Sequence, residues 1–304
     1  MSNSGYIKTD KGNFTANNVI ISVGLFNNKK IPLVSKKIPK SINQIHSMEY
    51  KNSSQLNDGN VLVVGAGRSG TQIAYEIKKN TNKKVWLSLG TLNLIPTIYK
   101  QINGVYWLNM LSGYDHYNNP IVYSLEDTYN SNIVDKMVQN LGGCVSNGVE
   151  LIGRFKGYSN NSFEFEENLI KTIESANEYL SKFEKEIDKY IEKENLKMSK
   201  DQINFNLPVL NMSSLKEEKI LEINTSNIKT IIWCTGFKPD YSWINLDVFN
   251  DDGYPISSNG KTSVNGLYFS ALSLDPNFSN SSGFGVGLFG VDEDARRIVS
   301  DIIV

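Results

Sequence analysis

Three glycines at positions 65, 67 and 70, with Arg68 and Ser69 between them, are the residues of this 304-residue chain whose type and spacing most directly suggest chemistry. A turn of that form serves a diphosphate. The first glycine permits a tight turn, the second removes the side chain that would hold phosphates off the backbone, and the third lets a following helix pack close to the preceding strand. Phosphate oxygens would then meet unpaired N–H groups at the positive end of a helix. The glycine spacing alone is a weak signal, so the flanking residues decide. Val61-Leu62-Val63-Val64 has the aliphatic, β-branched composition of a strand buried on both faces of a parallel sheet. After the glycines, Ile73, Ala74 and Ile77 fall at helical spacing with Gln72, Glu76 and Lys78 turned outward. Strand, turn and helix are therefore all present, and Gly65, Gly67, Arg68, Ser69, Gly70 and Gln72 are expected to hold a dinucleotide. A glycine-rich turn that binds nothing is the alternative.

The elements that would position such a site follow on both sides. Val85 to Leu89 is the expected second parallel strand of a βαβ unit, ending at Ser88-Leu89-Gly90-Thr91. An acidic residue about 20 positions past the glycines would hold the ribose hydroxyls of NAD, and none stands there. Ser88 and Thr91 suit a 2′-phosphate better than a carboxylate would. Arg68 is the nearest candidate cation, with a solvated surface arginine as the equal alternative. Ile228 to Cys234 is a further buried strand, closed by Thr235-Gly236.

Elsewhere the chain alternates short strands and connections. A hairpin is expected from Tyr6 to Ala16 around Asp10-Lys11-Gly12, followed by a buried strand from Val19 to Val23. Ile31-Pro32 and Ile38-Pro39 imply extended backbone, and residues 42 to 57 an irregular loop around His46 and Tyr50. Residues 96 to 158 are rich in aromatics, including Tyr99, Tyr106, Trp107, Tyr114, Tyr117, Tyr123 and Tyr129, which could wall a pocket or simply pack. Glu150 to Tyr158 and Ser162 to Phe165 suggest a strand pair. From Glu166 to about Asn195 a long helix carries one apolar stripe, Leu169, Ile173, Ala176, Leu180, Phe183, Ile187 and Ile191, with a solvated charged face opposite. Residues 196 to 228 read as a polar connection around Leu207-Pro208. A turn at Asp251-Asp252-Gly253, a last strand at Leu267 to Ser270 and a helix from Asp292 complete the chain. Gly285 to Gly290 repeats the GxGxxG spacing but lacks a preceding strand.

Composition excludes several classes. Formal net charge is −1, so nucleic acid and membrane surfaces are not expected partners. No apolar run is long enough to span a bilayer and no secretory leader pattern opens the sequence, which predicts a cytoplasmic protein. Two cysteines without a CxxC, and two distant histidines, give no disulfide framework, no redox dithiol and no metal site.

Taken in order, VIISVG (19–24), IHSMEYKN (45–52), VLVVGAGRSGTQIA (61–74), VWLSLG (85–90), IIWCTGFKPDYSWI (231–244), GLYFSALS (266–273) and GVDEDARRI (290–298) resemble the flavin-containing monooxygenase-like oxidoreductases that use FAD and NADPH. The resemblance implies an α/β fold in which a Rossmann-type NAD(P)-binding domain is inserted in an FAD-binding domain. It implies segments 1–57 and 231–304 for the incomplete FAD-type domain and 58–230, with the long helix 166–195, for the NAD(P)-binding domain. It further implies hydride transfer from NADPH to FAD, then oxygen activation on the reduced flavin and transfer to a small-molecule substrate. VIISVG and IIWCTG, with Gly236, resemble the family's two hinge segments. His46 and Tyr50 match its histidine and aromatic signature, where a structural role is at least as expected as a catalytic one. The final helix would aim its N-terminus at the flavin, with Asp292 and Glu293 as ordinary first-turn residues. No side-chain nucleophile is expected.

Two departures qualify the resemblance. Residues 1 to 64 hold no strand-GxGxxG-helix for the FAD diphosphate, so the expectation is a truncated or split form whose FAD βαβ unit is supplied by a separate polypeptide. Family arginines after the second strand are absent from Thr91 to Lys100, which leaves NADP or NAD open. A non-catalytic NAD(P)-binding module is the alternative to an enzyme.

Overall fold

A computed structural model describes residues 5–24, 26–92, 98–100, 102–103, 107, 110–111, 141–198, 210–222, 226–258, 260–270 and 291–303. Tyr106, Tyr114, Tyr117, Tyr123, Tyr129, the Leu207-Pro208 connection and the glycine run 283–290 lie outside these residues, as do the side chains of Asp292 and Glu293.

The chain opens on a hairpin, β1 (Gly5–Thr9) paired antiparallel with β2 (Gly12–Ala16), as the alternation around Asp10-Lys11 requires. β3 (Val19–Ile21) is shorter than expected, and only Ile21 is buried, because one of its edges has no described neighbour. β4 (Asn28–Lys29) follows. Pro32 and Ile38 are extended as the prolines dictate, but a single 3-10 turn, Leu33–Lys37, fits between them. The segment expected as a loop contains a strand, β5 (Asn43–His46). Its polar residues hid it: Gln44 accepts a hydrogen bond from the Trp233 indole at 3.0 Å and donates to the Ser35 carbonyl at 3.2 Å.

Next come β6 (Asn60–Val64), α1 (Arg68–Asn80) and β7 (Val85–Ser88), the predicted strand-helix-strand unit. A short hairpin of β8 (Ile98–Tyr99) and β9 (Ile102–Asn103) precedes α2 (Leu141–Ser146). The run from Glu150 divides at Gly153-Arg154 into β10 (Glu150–Ile152), which joins the parallel sheet, and β11 (Phe155–Ser159), which pairs with β12 (Ser162–Phe165). A β-carbon on Gly153 would lie 2.0 Å from the Glu166 carbonyl oxygen, so the break between the two strands is pinned by close backbone contact. α3 (Leu169–Lys193) is the long helix; Leu169, Ile173, Ala176 and Ile187 of its stripe are buried, while Leu180, Phe183 and Ile191 are half-buried. The polar connection after it holds another strand, β13 (Ile220–Glu222), on the edge of the β11-β12 pair. β14 (Ile228–Trp233), β15 (Phe237–Lys238), β16 (Ser257–Ser258), β17 (Lys261–Thr262), β18 (Leu267–Phe269) and α4 (Val291–Ile303) complete the order.

Two compact units result: residues 1–29, 105–121 and 237–304 form one, and 30–104 with 122–236 the other. The second unit therefore begins at residue 30, earlier than the boundary expected at 58, and ends at 236 instead of 230. β5 explains the shift, because it is hydrogen-bonded to β14 and belongs to that unit's sheet.

That sheet is parallel throughout, in the order β10-β7-β6-β14-β5. Alternate residues of each strand face opposite layers. Val61, Val63, Leu87 and Ile232 pack with Ala74 and Ile77 of α1, Cys144 of α2 and Leu169, Ile173 and Ala176 of α3. Leu62, Val64, Trp86, Ile231 and Trp233 pack with Phe155, Phe163, Phe165 and Leu221 of the antiparallel β11-β12-β13 sheet. Both faces are covered, which is why residues 61–64, 85–87 and 231–233 are apolar without alternation. The other unit has its own core of Ile21, Tyr241, Val248, Leu267 and Phe269 beside a four-stranded sheet ordered β16-β17-β18-β3.

Candidate functional site

The last residues of the five parallel strands, Ile152, Ser88, Val64, Trp233 and His46, stand in register. The sheet thus has one carboxyl edge, and nearly every residue singled out in the sequence lies along it. Chain order reverses at β6: β7 and β10 are laid down on one side, and β14 returns on the other. A crevice at such a reversal is where open α/β sheets bind ligands.

The turn after β6 is built as the glycine spacing requires. Gly65 has φ +104°, and its N–H bonds the Ser88 carbonyl at 3.0 Å. A β-carbon on Gly70 would lie 1.7 Å from the Gly65 carbonyl oxygen, so helix and turn are in direct backbone contact. Gly67 differs, since a β-carbon there would meet nothing within 4 Å. As N-cap of the 13-residue α1 it is extended and supplies no side-chain cap. The first N–H groups of a helix have no intrahelical partners, so α1 presents them beside an open volume that a side chain would fill. That is the form of a phosphate cradle. Arg68 and Ser69 are exposed in the first turn and Gln72 is exposed on the helix surface.

The remaining candidates divide. Ser88 is buried and its hydroxyl donates to the Gly153 carbonyl at 2.8 Å, so it braces β7 against β10. Thr91 is exposed, and its Oγ1 accepts from Nη2 of Arg154 at 2.7 Å. Arg154 was not singled out in the sequence; only folding brings the β10-β11 connection to the end of β7. His46 and Gly236 are brought to each other. Nδ1 of His46 accepts the Met48 N–H at 3.1 Å, which places the ring proton on Nε2, and Nε2 donates to the Gly236 carbonyl at 3.0 Å. His46 is buried, so it clamps β5 to the chain leaving β14.

Tyr50 is likewise structural. Its hydroxyl donates to Glu76 of α1, fastening the segment after β5 to the nucleotide helix. Burial pushes the Tyr50 phenol well above the usual range, and Glu76 adds to the effect. For Glu76, partial burial raises the pKa, but hydrogen bonds from Tyr50, Asn80 and Ser53 outweigh it and the net shift is downward. A carboxyl with a lowered folded pKa contributes stability above its unfolded pKa and loses it as pH falls through the folded value. Tyr50→Phe is expected to cost about 1 kcal/mol near neutral pH, a difference that should shrink as pH falls through the folded pKa of Glu76. Urea unfolding repeated from neutral pH downward checks both.

Neither cysteine forms a disulfide. Cys144 has no exposed surface, its thiol meets the Thr71 carbonyl at 3.6 Å, and burial pushes its pKa up to about 12. Burial does the same to Cys234. Thiolate is the reactive form, so iodoacetamide at neutral pH should leave Cys144 unmodified until denaturant is added, as read by mass spectrometry. Among the described residues no group of three or more His, Cys, Asp and Glu side chains could hold a metal ion, and no helix is long and apolar enough to cross a membrane.

The fold and the glycine turn together define a parallel α/β sheet with a Rossmann-type strand-turn-helix. Residues 2–94 match the family described as pyridine nucleotide-disulphide oxidoreductase. The uncharacterized oxidoreductase CzcO of Bacillus subtilis is 30% identical over 298 residues, spanning 97% of this chain and 68% of the relative. Among solved structures, a flavin-containing monooxygenase from Stenotrophomonas maltophilia superposes with a TM-score of 0.54 at 14% identity, over 100% of this chain and 67% of the other. L-lysine 6-monooxygenase from Pseudomonas syringae gives 0.52 at 11% identity, over 99% and 67%. The chain belongs to the CzcO oxidoreductases.

Proposed function

We propose that this chain is an NAD(P)H-dependent flavoprotein oxidoreductase of monooxygenase type acting on a small-molecule substrate. The observation that carries the reading is the open volume over Gly67 at the uncapped start of α1, set at the carboxyl edge of a parallel sheet. Backbone N–H groups of Arg68, Ser69 and Gly70 would hold the dinucleotide's diphosphate there, and Gly65 and Gly70 set the turn. FAD would supply the redox chemistry, accepting hydride from the nicotinamide and passing electrons to oxygen. A cytoplasmic location goes with this reading, to which two unpaired cysteines are suited.

An FAD diphosphate calls for a strand-GxGxxG-helix, and residues 1 to 64 carry no glycines at that spacing. A segment outside residues 1–304, in the same or a separate polypeptide, would supply it. Support comes from β3. Among the described residues it is paired only with β18, and Ile20, Val23 and Phe26 are 45%, 51% and 50% exposed. Parallel strands are normally flanked and covered, and an apolar edge is a template for another strand.

Calorimetry of the purified chain with NADPH and NADH tests the first part; absence of heat with both would overturn it. Adding FAD and a polypeptide carrying the strand-GxGxxG-helix tests the second. Expected is flavin absorbance that comigrates with the chain and bleaches on NAD(P)H addition. Nucleotide binding without any flavin retention would leave a non-catalytic binding module as the function.

A further inference from the structure

We propose that the open cavity between the β16-β17 hairpin and α4 is a binding site for a small organic anion, with a phosphate or sulfonate head on an apolar body. It shares no residue with the Gly65–Gly70 turn or with β3 and does not depend on the dinucleotide reading.

β16 and β17 form an antiparallel hairpin in which Ser257 pairs with Thr262 and Ser258 with Lys261, and Lys261 in turn lies opposite Tyr268 of β18. β16 is the outermost strand, at the end of the sheet away from β3. α4 packs against this end. Ile298 is buried, and a β-carbon on Gly260 of the hairpin turn would lie 3.3 Å from its Cδ1. About one turn further on, Asp301 accepts from Lys261 Nζ at 2.8 Å and from the Tyr268 hydroxyl at 2.7 Å. Hairpin and helix thus converge at Ile298 and Asp301, and beside these contacts they leave a cavity of about 1020 Å³. That is room for a ligand of drug or nucleotide size.

The lining is cationic: Lys261, Arg296 and Arg297 border the cavity, against the single carboxylate of Asp301. That carboxylate is already engaged, since Lys261 and the Tyr268 hydroxyl hold its pKa below the usual range. Arg296 is exposed and makes no hydrogen bond or ion pair with any described residue. Ser300 follows it at the i+4 position and lines the same cavity, so a guanidinium and a hydroxyl share one helix face. The strand side supplies a second donor. Ser257 lines the cavity, and its hydroxyl is buried with no hydrogen-bond partner among the described residues. Such a group costs free energy until something pairs with it. Ile256, 59% exposed, and Ile298 give the cavity apolar surface. A guanidinium pairs with two oxygens of a phosphate or sulfonate at once, and serine hydroxyls can donate to the oxygen that remains. A neutral ligand would leave Arg296 unmatched, and a bare inorganic ion would leave the isoleucines uncovered. An anion with an apolar body answers both.

The test is a fluorescence titration of the full chain with two probes, anilinonaphthalene sulfonate and its uncharged counterpart phenylnaphthylamine. Expected is saturable binding of the sulfonate that weakens as salt is raised. Its affinity should fall about tenfold in Arg296→Gln and about threefold in Ser257→Ala, the losses expected for a charged and a neutral hydrogen bond. Phenylnaphthylamine should bind the native chain and both variants alike. Melting temperatures should not drop, because neither side chain has a partner in the unliganded protein to lose. Gly67→Ala, which alters the dinucleotide cradle, should leave sulfonate binding unchanged. Absence of saturable sulfonate binding, or an affinity unchanged in either cavity variant, would overturn the proposal. Equal weakening of both probes would overturn it as well, by marking a merely apolar surface, and so would a loss of sulfonate binding in Gly67→Ala. None of these results bears on the dinucleotide reading, which the nucleotide titrations test separately.

Discussion

Gly70→Ala is expected to destabilise the parallel-sheet unit by about 3 kcal/mol, seen as a lowered urea midpoint. An alanine in a helix interior gains about 1 kcal/mol over glycine in propensity, so the sign depends on what the methyl meets. It would meet the Gly65 carbonyl oxygen at 1.7 Å and lie 3.4 Å from Cys234 Cβ. Neither neighbour can yield cheaply. Gly65 is tied through its N–H to Ser88, and a β-carbon built on Gly65 would itself lie 2.3 Å from the Cys234 carbonyl oxygen. α1 would have to lift from β6, exposing part of the layer formed by Ala74 and Ile77. A midpoint equal to that of the native chain would show that the helix and turn are not in contact.

Gly67→Ala is expected to do the reverse: leave stability within about 0.5 kcal/mol and weaken dinucleotide binding at least tenfold, about 1.4 kcal/mol. Gly67 has φ −70°, which alanine adopts freely, and its added methyl touches no protein atom. The methyl instead occupies the volume in which phosphate oxygens would approach the N–H groups of α1. Calorimetry with NADPH on the folded variant reads the effect. Unchanged affinity would remove the cradle from the proposal, while opposite outcomes at the two glycines would separate a packing role at Gly70 from a binding role at Gly67.

The βαβ unit was legible because burial on both faces makes a strand apolar at every position, and because the glycines mark a change of period. β5 was not legible. Asn43 and Gln44 look like loop residues until Gln44 is seen to satisfy the indole of Trp233. The same limit applied to the boundary at residue 30, which follows from β5 and has no compositional signal. Within the site, Gly65, Gly67 and Gly70 carried their geometry in their spacing. Ser88 turns inward to the Gly153 carbonyl, and Arg154 reaches Thr91 from another strand's exit, neither of which the spacing shows. Tyr50 and His46 make hydrogen bonds to Glu76 and Gly236 that connect distant sequence positions, which no local pattern announces.

The hydrogen bonds at the two ends of the parallel-sheet unit bear on the order in which the chain folds. Lys30 N–H bonds the Gly236 carbonyl at 3.1 Å, and just outside it Lys29 pairs with Phe237 and Asn28 with Lys238. Asn27 and Asp240, 213 positions apart, exchange hydrogen bonds there. Once the parallel-sheet unit has formed, its two ends are already neighbours, so β3 and β18 meet across a short effective loop. Closure entropy falls by about 0.6 kcal/mol for each halving of loop length, a saving of about 2 kcal/mol for an eightfold reduction. The parallel pairing of the outer unit, the slow and entropically distant step, would therefore be templated by prior assembly of the inner one.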